Sequence, residues 1–133
     1  MVISDGTDQH SRRRLADVLK VMRESQVQLF AIGYFSGQEE ALFRRAGSRV
    51  EVIDGSFVDN PRTVLQKLTR ESGAVSFFPR SDRELAKAVD EITDDLRTQY
   101  TVAFYPQSPD AEIRYHQLRV TVRGGRYDVR ARP

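Results

Sequence analysis

The chain has 133 residues, of which 39% are hydrophobic and 30% charged, a length and balance typical of one soluble domain with a core. No apolar run reaches the ~18 to 20 residues that cross a bilayer, so we expect no membrane insertion. The 21 basic and 19 acidic residues leave a formal net charge of +2, which gives no overall electrostatic drive toward nucleic acid. Cysteine is absent, which excludes disulfides, thiolate metal sites and cysteine nucleophiles.

The first elements predict a βαβ unit. A short apolar strand runs into Ser4-Asp5-Gly6, and apolar residues at helical spacing then predict a helix over about residues 11–25. Residues 27–35 form a nearly unbroken apolar run, the pattern of a parallel strand that is buried on both faces. We therefore expect two parallel strands joined by a right-handed helical crossover.

Three later helices are predicted from their starts. Ser36 and Ser81 each precede a glutamate by three residues, the spacing of a capping box, and Asn60 precedes a proline at the first helical position. The predicted elements of this region are helices over residues 36–47, 60–73 and 81–96, a short extended piece at 50–53 and a third core strand at 74–78.

The period of the pattern changes from helix to strand after residue 98. Residues 99–105 are typical of a strand, and residues 113–123 alternate between apolar and polar side chains. Gly124-Gly125 then predicts a two-residue hairpin turn, whose register pairs Val122 with Tyr127 and Val120 with Val129.

These elements together predict an α/β fold. We expect a Rossmann-like three-layer sandwich, with a mainly parallel sheet, helices on both faces and a C-terminal antiparallel β-hairpin. The whole chain, 1–133, is then a single domain, in which 1–98 is the α/β part and 99–133 is the hairpin extension.

Asp5 is the first candidate for chemistry because open α/β sheets bind ligands at the carboxyl ends of their strands. Asp, Gly and Ser are also ordinary turn residues, so a plain turn remains an alternative. Asp5-Gly6-Thr7 resembles the end of the Asp-x-Asp-Gly-Thr signature of haloacid dehalogenase-like phosphatases. In this chain Ile3 stands where the phosphatase reaction needs its nucleophilic aspartate, which makes that activity the weakest hypothesis.

Several segments together carry a stronger resemblance. VISDGTDQHS, VQLFAIGYF and the LRTQY stretch that is followed by Tyr105-Pro106 resemble the C-terminal half of a von Willebrand factor type A domain, in particular a bacterial subgroup common in acidobacteria. The resemblance implies a non-catalytic, protein-binding adhesion module. It also implies that Asp5 is a ligand of a metal-ion-dependent adhesion site for Mg²⁺ or another divalent cation, with Ser4, Gly6 and Asp8 supporting the loop.

The chain departs from that family in one respect. The family's Asp-x-Ser-x-Ser motif occurs nowhere in the sequence, so the resemblance implies that the N-terminal half of the domain is absent. One carboxylate competes poorly with six waters for Mg²⁺, and we expect weak or no binding by this chain alone. The first strand would then present an unpaired apolar edge, which makes a homodimer plausible. The resemblance favours a periplasmic or extracellular location, although no signal peptide precedes the first strand.

Four arginines predicted on one face of the C-terminal hairpin are candidates for partner contact. An arginine ladder can dock an acidic partner protein or protect an exposed sheet face from aggregation. A metal-free scaffold or assembly module, which uses the hairpin and the strand edge, is therefore the alternative function. The four residues are Arg119, Arg123, Arg126 and Arg130.

Overall fold

The computed structural model describes residues 1–8, 11–103, 119–125, 127 and 129–131. This part of the chain contains both helices and strands, which confirms the α/β character. The elements are β1 (Val2–Ser4), α1 (Leu15–Glu24), β2 (Ala31–Gly33), α2 (Gly37–Arg45), β3 (Arg49–Glu51), β4 (Phe57–Asp59), α3 (Pro61–Glu71), β5 (Ser76–Phe77) and α4 (Asp82–Arg97).

The sheet that organises the fold is parallel, with the strand order β1-β2-β5. Its register aligns Ile3 with Ile32 and Ile32 with Phe77. The predicted β1-α1-β2 unit is confirmed, and β2 at the centre is buried along its whole length, as its apolar run predicted. Two of the strands are shorter than predicted. Only three residues of the run 27–35 belong to β2, and only two residues of 74–78 belong to β5.

The N-caps of α2, α3 and α4 lie where their sequence signals place them. Ser36 Oγ accepts a hydrogen bond from the Glu39 N–H, while Glu39 Oε2 accepts one from the Ser36 N–H at 2.8 Å. These bonds from Ser36 hold the pKa of Glu39 below its usual value. Asn60 caps α3 and Ser81 caps α4, so local side-chain hydrogen bonds define all three starts.

The predicted start of α1 is wrong by about four residues. The helix begins at Leu15, after three exposed arginines at positions 12–14. Arginine has no acceptor for the free N–H groups of a first turn, and its charge opposes the positive end of the helix dipole. Asp17 instead accepts a hydrogen bond from the Arg14 N–H at 3.2 Å, which fixes the start of the helix.

The core lies between the sheet and two helices. Phe30 and Ile32 cluster with Ala74 and with Ile92 of α4, and α3 contacts β2 and β5. The predicted apolar stripe of α4 is buried only in part. Ala88 and Ile92 are buried, but Val89 and Leu96 are 40% and 56% exposed, because the sheet beneath α4 is narrow.

An antiparallel pair lies outside the parallel sheet. The extended piece predicted at 50–53 is β3, and it pairs with β4 so that Val50 lies opposite Val58. Asp54 and Gly55, the latter at a φ of 80°, form the turn between the strands. The β4 strand was not predicted, because its three residues are too short to show a period.

The predicted C-terminal strands are wrong in the part that the structure describes. Residues 99–103, 119–125, 127 and 129–131 are in no strand, although the chain bends at 123–125, where Gly124 has a φ of 93°. A two-stranded hairpin is marginal in water unless a face is covered, and Val122 and Tyr127 are both more than half exposed. Residues 104–118, 126, 128, 132 and 133 lie outside the description, and with them much of the predicted strands.

In the part of the chain that the structure covers, no helix is both long and apolar enough to span a membrane.

Candidate functional site

The Asp5 loop follows β1 at the carboxyl end of the sheet. Ser4 Oγ accepts a hydrogen bond from the Gly6 N–H at 2.9 Å, and Asp5 Oδ1 accepts one from the Thr7 N–H at 3.0 Å. The Ser4 carbonyl also accepts from the Tyr34 N–H at 3.1 Å, which joins the loop to the end of β2. The loop is therefore shaped by its own side chains, and the Asp5 carboxylate lies exposed at its tip.

Gly6 sets the direction of this loop. Its φ is 68°, a conformation that other residues rarely adopt, and an added Cβ would lie 2.9 Å from the Pro61 carbonyl oxygen. The same Cβ would lie 3.2 Å from Leu65 Cγ. The loop therefore packs down onto the first turn of α3, which covers the centre of the sheet rather than the outer edge of β1.

The structure places the second carboxylate of the loop, Asp8, in a separate local turn. Its Oδ1 accepts a hydrogen bond from the Ser11 N–H at 3.0 Å, and the residue is exposed. Within residues 1–8, 11–103 and the described C-terminal residues, no three His, Asp or Glu side chains come close enough to hold a metal ion. These residues alone do not assemble the six oxygen ligands that Mg²⁺ prefers.

A buried ion pair at the same end of the sheet was not predicted. Glu40 in the first turn of α2 is only 6% exposed, and Arg62 Nη1 lies 2.7 and 2.8 Å from its two carboxylate oxygens. Arg80 Nη2 is 3.6 Å from Glu40 Oε1. Two guanidinium groups thus face one carboxylate, which compensates for its burial.

Aromatic rings surround this ion pair. The Arg62 guanidinium lies 3.9 Å from the centre of the Phe78 ring, and Phe78 stacks on Phe35 with centroids 5.7 Å apart. Phe35 meets Phe43 of α2 edge-on at 5.0 Å. We call Glu40, Arg62, Phe78 and Phe35 the arginine–aromatic cluster. It ties α2 and α3 to the loops that follow β2 and β5.

A shallow depression of about 200 Å³ lies beside β5, on the opposite side of the sheet from β1. Phe77 and Phe78 line it, and Lys87 and Glu91 of α4 line it as well. Its volume is below the ~300 to 1,000 Å³ of most small-molecule sites. Its two charged side chains pair with each other, since Lys87 Nζ lies 3.5 Å from Glu91 Oε1.

The predicted arginine ladder is not a uniform surface. Arg119 and Arg123 are exposed, whereas Arg130 Nη2 donates to Asp95 Oδ1 of α4 at 2.7 Å. Arg126 lies outside the described residues. The charge of Arg130 is thus partly neutralised within the chain, where it ties the C-terminal segment to α4.

The outer side of β1, which we call the β1 edge, carries no neighbouring strand in the described part of the chain. The Val2 N–H donates to the Phe30 carbonyl at 2.8 Å, and the Ser4 carbonyl accepts from Tyr34. Backbone groups alternate in direction along a strand, so those of Ile3, between them, point to the open side. Val2 and Ile3 are 41% and 62% exposed.

Comparison with known proteins leaves the family open. No protein-family model and no curated protein matches the sequence. The structure is similar to the crystal structure of an uncharacterized membrane spanning protein from Vibrio fischeri, with 19% sequence identity and a TM-score of 0.46. That similarity covers 71% of this chain and 44% of the other, so the chain spans less than half of that protein's length. This degree of likeness assigns neither a family nor an activity.

Proposed function

We propose that this chain is a non-catalytic protein-binding module, similar to the C-terminal half of a metal-ion-dependent adhesion domain. The observation that carries the proposal is an exposed Asp5 carboxylate that directly follows the edge strand β1. An extended segment of a partner can add to the edge through backbone hydrogen bonds, and its side chains then lie beside Asp5.

The finer architecture that goes with this function is the three-layer sandwich. Its support is that Ile32 packs with Ile92 of α4, while a Cβ at the next residue, Gly33, would meet Leu65 of α3. Successive residues of a strand point to opposite faces, so α3 and α4 cover different faces of the sheet. In the same proposal the module works in the periplasm or outside the cell.

Asp5 is the residue that we assign to the metal. It supplies one carboxylate, Ser4 and Gly6 hold its loop, and the remaining oxygen ligands for Mg²⁺ or another divalent cation come from outside the described residues. This chain alone then binds the cation weakly. An affinity for Mg²⁺ tighter than millimolar, measured by calorimetry, would contradict this assignment.

Paramagnetic line broadening by Mn²⁺ tests the role of Asp5, because it detects weak ion sites residue by residue. We expect selective broadening of amide signals from residues 4–8, and its loss in the variant Asp5→Asn. Asp54 is a matched control, since it is exposed and its Oδ1 accepts from the Ser56 N–H at 2.9 Å in the same kind of turn. Equal broadening near Asp54, or none near Asp5, would remove the metal from the function.

The alternative function is a metal-free assembly module. It is favoured by the exposure of Val2 and Ile3 on a strand with one open side, an edge that can bind a partner without an ion. Binding that persists in the presence of EDTA and in Asp5→Asn would select this alternative.

A phosphatase remains the weakest candidate, because Ile3 occupies the position of the nucleophile and is a β1 residue. That hypothesis requires turnover of a simple phosphate ester that is lost in Asp5→Asn. We expect no turnover by either protein.

A further inference from the structure

We propose that a second copy of this chain occupies the β1 edge, with the two β1 strands antiparallel across a two-fold axis at Ile3. This inference deepens the assembly function given above as the alternative, and it is independent of Asp5 and of any metal ion.

The backbone of β1 is self-complementary. Because Val2 and Ser4 use their backbone groups toward β2, the N–H and the carbonyl of Ile3 both point to the open side. A copy related by a two-fold axis presents the same donor and acceptor in reverse order. Two N–H···O bonds then join Ile3 of one copy to Ile3 of the other, which is the closed, isologous contact that most homodimers use.

The side chains of β1 fit the same register. Ile3 lies on the face of the sheet that carries Ile32 and Phe77, and it is 62% exposed there. In the antiparallel register the two Ile3 side chains are direct neighbours on one face and cover each other. On the other face Val2, which is 41% exposed, lies opposite Ser4 of the second copy. Part of the exposed apolar surface of Ile3 and Val2 is thus removed from water.

The loop and the helix that follow β1 are compatible with the approach of a second copy. The Asp5 loop turns inward onto α3, as the contacts of Gly6 with Pro61 and Leu65 show. The adjoining α1 has no buried residue, and its Val18 and Val21 are 37% and 60% exposed. The contact surface can therefore extend from β1 onto the helix that follows it.

Charge does not oppose the pairing. The formal net charge is only +2, so two copies repel each other weakly. In the proposed register the two Asp5 residues are offset by four positions, roughly 14 Å along the strands at about 3.4 Å per residue. That separation exceeds the Debye length of ~8 Å at physiological ionic strength, so the two carboxylates are largely screened from each other.

Sedimentation equilibrium from micromolar to near-millimolar concentration tests the proposal, with hydrogen exchange of the Ile3 amide as a local readout. We expect a monomer–dimer equilibrium, with protection of the Ile3 amide that increases with protein concentration. In Ile3→Lys two ammonium groups face each other, and the dimer should dissociate at least about tenfold more readily. EDTA and Asp5→Asn should leave the equilibrium unchanged, which separates this result from the role of the metal.

Two further variants keep the test decisive. Ile3→Pro removes only the outward N–H, which β2 does not use, so it should weaken the dimer without breaking the β1–β2 ladder. Ile53 is fully exposed in the turn between β3 and β4, and Ile53→Lys adds the same charge far from β1 without affecting the dimer. A monomer at every concentration, or a dimer that is insensitive to both Ile3 variants, would overturn the proposal.

Discussion

The Glu40 carboxylate has almost no access to water, and the Arg62 guanidinium compensates the cost of burying its charge. The Glu40 side chain is 8% exposed and the Arg62 side chain 21%. Arg62 Nη1 donates to both carboxylate oxygens of Glu40. Arg62 is also held against the Phe78 ring, so it cannot turn away without giving up a cation–π contact. The pair therefore fixes α2 relative to α3.

Replacing Glu40 by Gln should lower the free energy of unfolding by about 2 to 4 kcal/mol, since it leaves the Arg62 charge without its counterion in a mostly buried position. Urea denaturation, followed by circular dichroism, measures the change. The matched control is Glu91→Gln, whose partner Lys87 is 77% exposed, and there we expect a loss of less than about 0.5 kcal/mol. Equal losses in both variants would show that the burial of Glu40 has no energetic weight.

The sequence predicted that Asp5 lies in the loop after the first strand, but it did not predict the buried ion pair of Glu40. The position of Asp5 could be predicted because a strand and its following loop are adjacent in the chain. Glu40 and Arg62 are 22 residues apart, and their contact depends on how α2 and α3 are placed over the loops after β2 and β5. The capping signals put each residue in the first turn of its helix, but neither signal indicates the other.

Among the elements, β2 is packed so tightly at Gly33 that a side chain does not fit there. A Cβ at Gly33 would lie 2.6 Å from Phe78 Cδ1 and 3.1 Å from Leu65 Cδ1, so the strand, α3 and the ring after β5 share a space that fits no methyl group. Phe78 cannot move aside easily, because Arg62 and Phe35 pack on its ring.

Gly33→Ala should therefore destabilise the protein by about 1 to 3 kcal/mol through overpacking. Gly37 at the start of α2 has nothing within 4 Å of its added Cβ, and Gly37→Ala should stabilise the protein by about 0.5 kcal/mol through backbone entropy. Thermal unfolding of the two variants beside the parent protein measures both effects. Changes of the same sign would contradict the packing described at Gly33.

Elements were predictable where their signals are local. The N-caps at Ser36, Asn60 and Ser81 rest on hydrogen bonds within three residues, and all three are confirmed. The C-terminal strands were predicted from alternation alone, which indicates a face to be covered but not what covers it. Where nothing among the described residues covers Val120 and Val122, no strand forms there.

Across the whole molecule, burial is uneven. The central strand β2 and parts of α3 and α4 are buried, whereas β1 is exposed and α1 has no buried residue. Local stability follows buried apolar contacts, so we expect β1 and α1 to be less stable than β2, α3 and α4.

Hydrogen exchange at low protein concentration should show this gradient. We expect amides of α1 to exchange faster than those of α3, because opening α1 exposes little that was buried. Mass spectrometry of peptides from the two helices measures the difference, and the similar length of the helices, 10 and 11 residues, makes them a fair pair. Equal protection of α1 and α3 would contradict the gradient.

The core cluster also has a consequence for biosynthesis. Ile32 of β2 and the preceding Phe30 pack with Ile92, which leaves the ribosome about 60 residues later. At about 5 to 20 residues per second, the nascent chain spends roughly 3 to 12 s before α4 can cover this face of β2. A nascent chain that stalls within this interval therefore exposes apolar core residues to which a chaperone can bind.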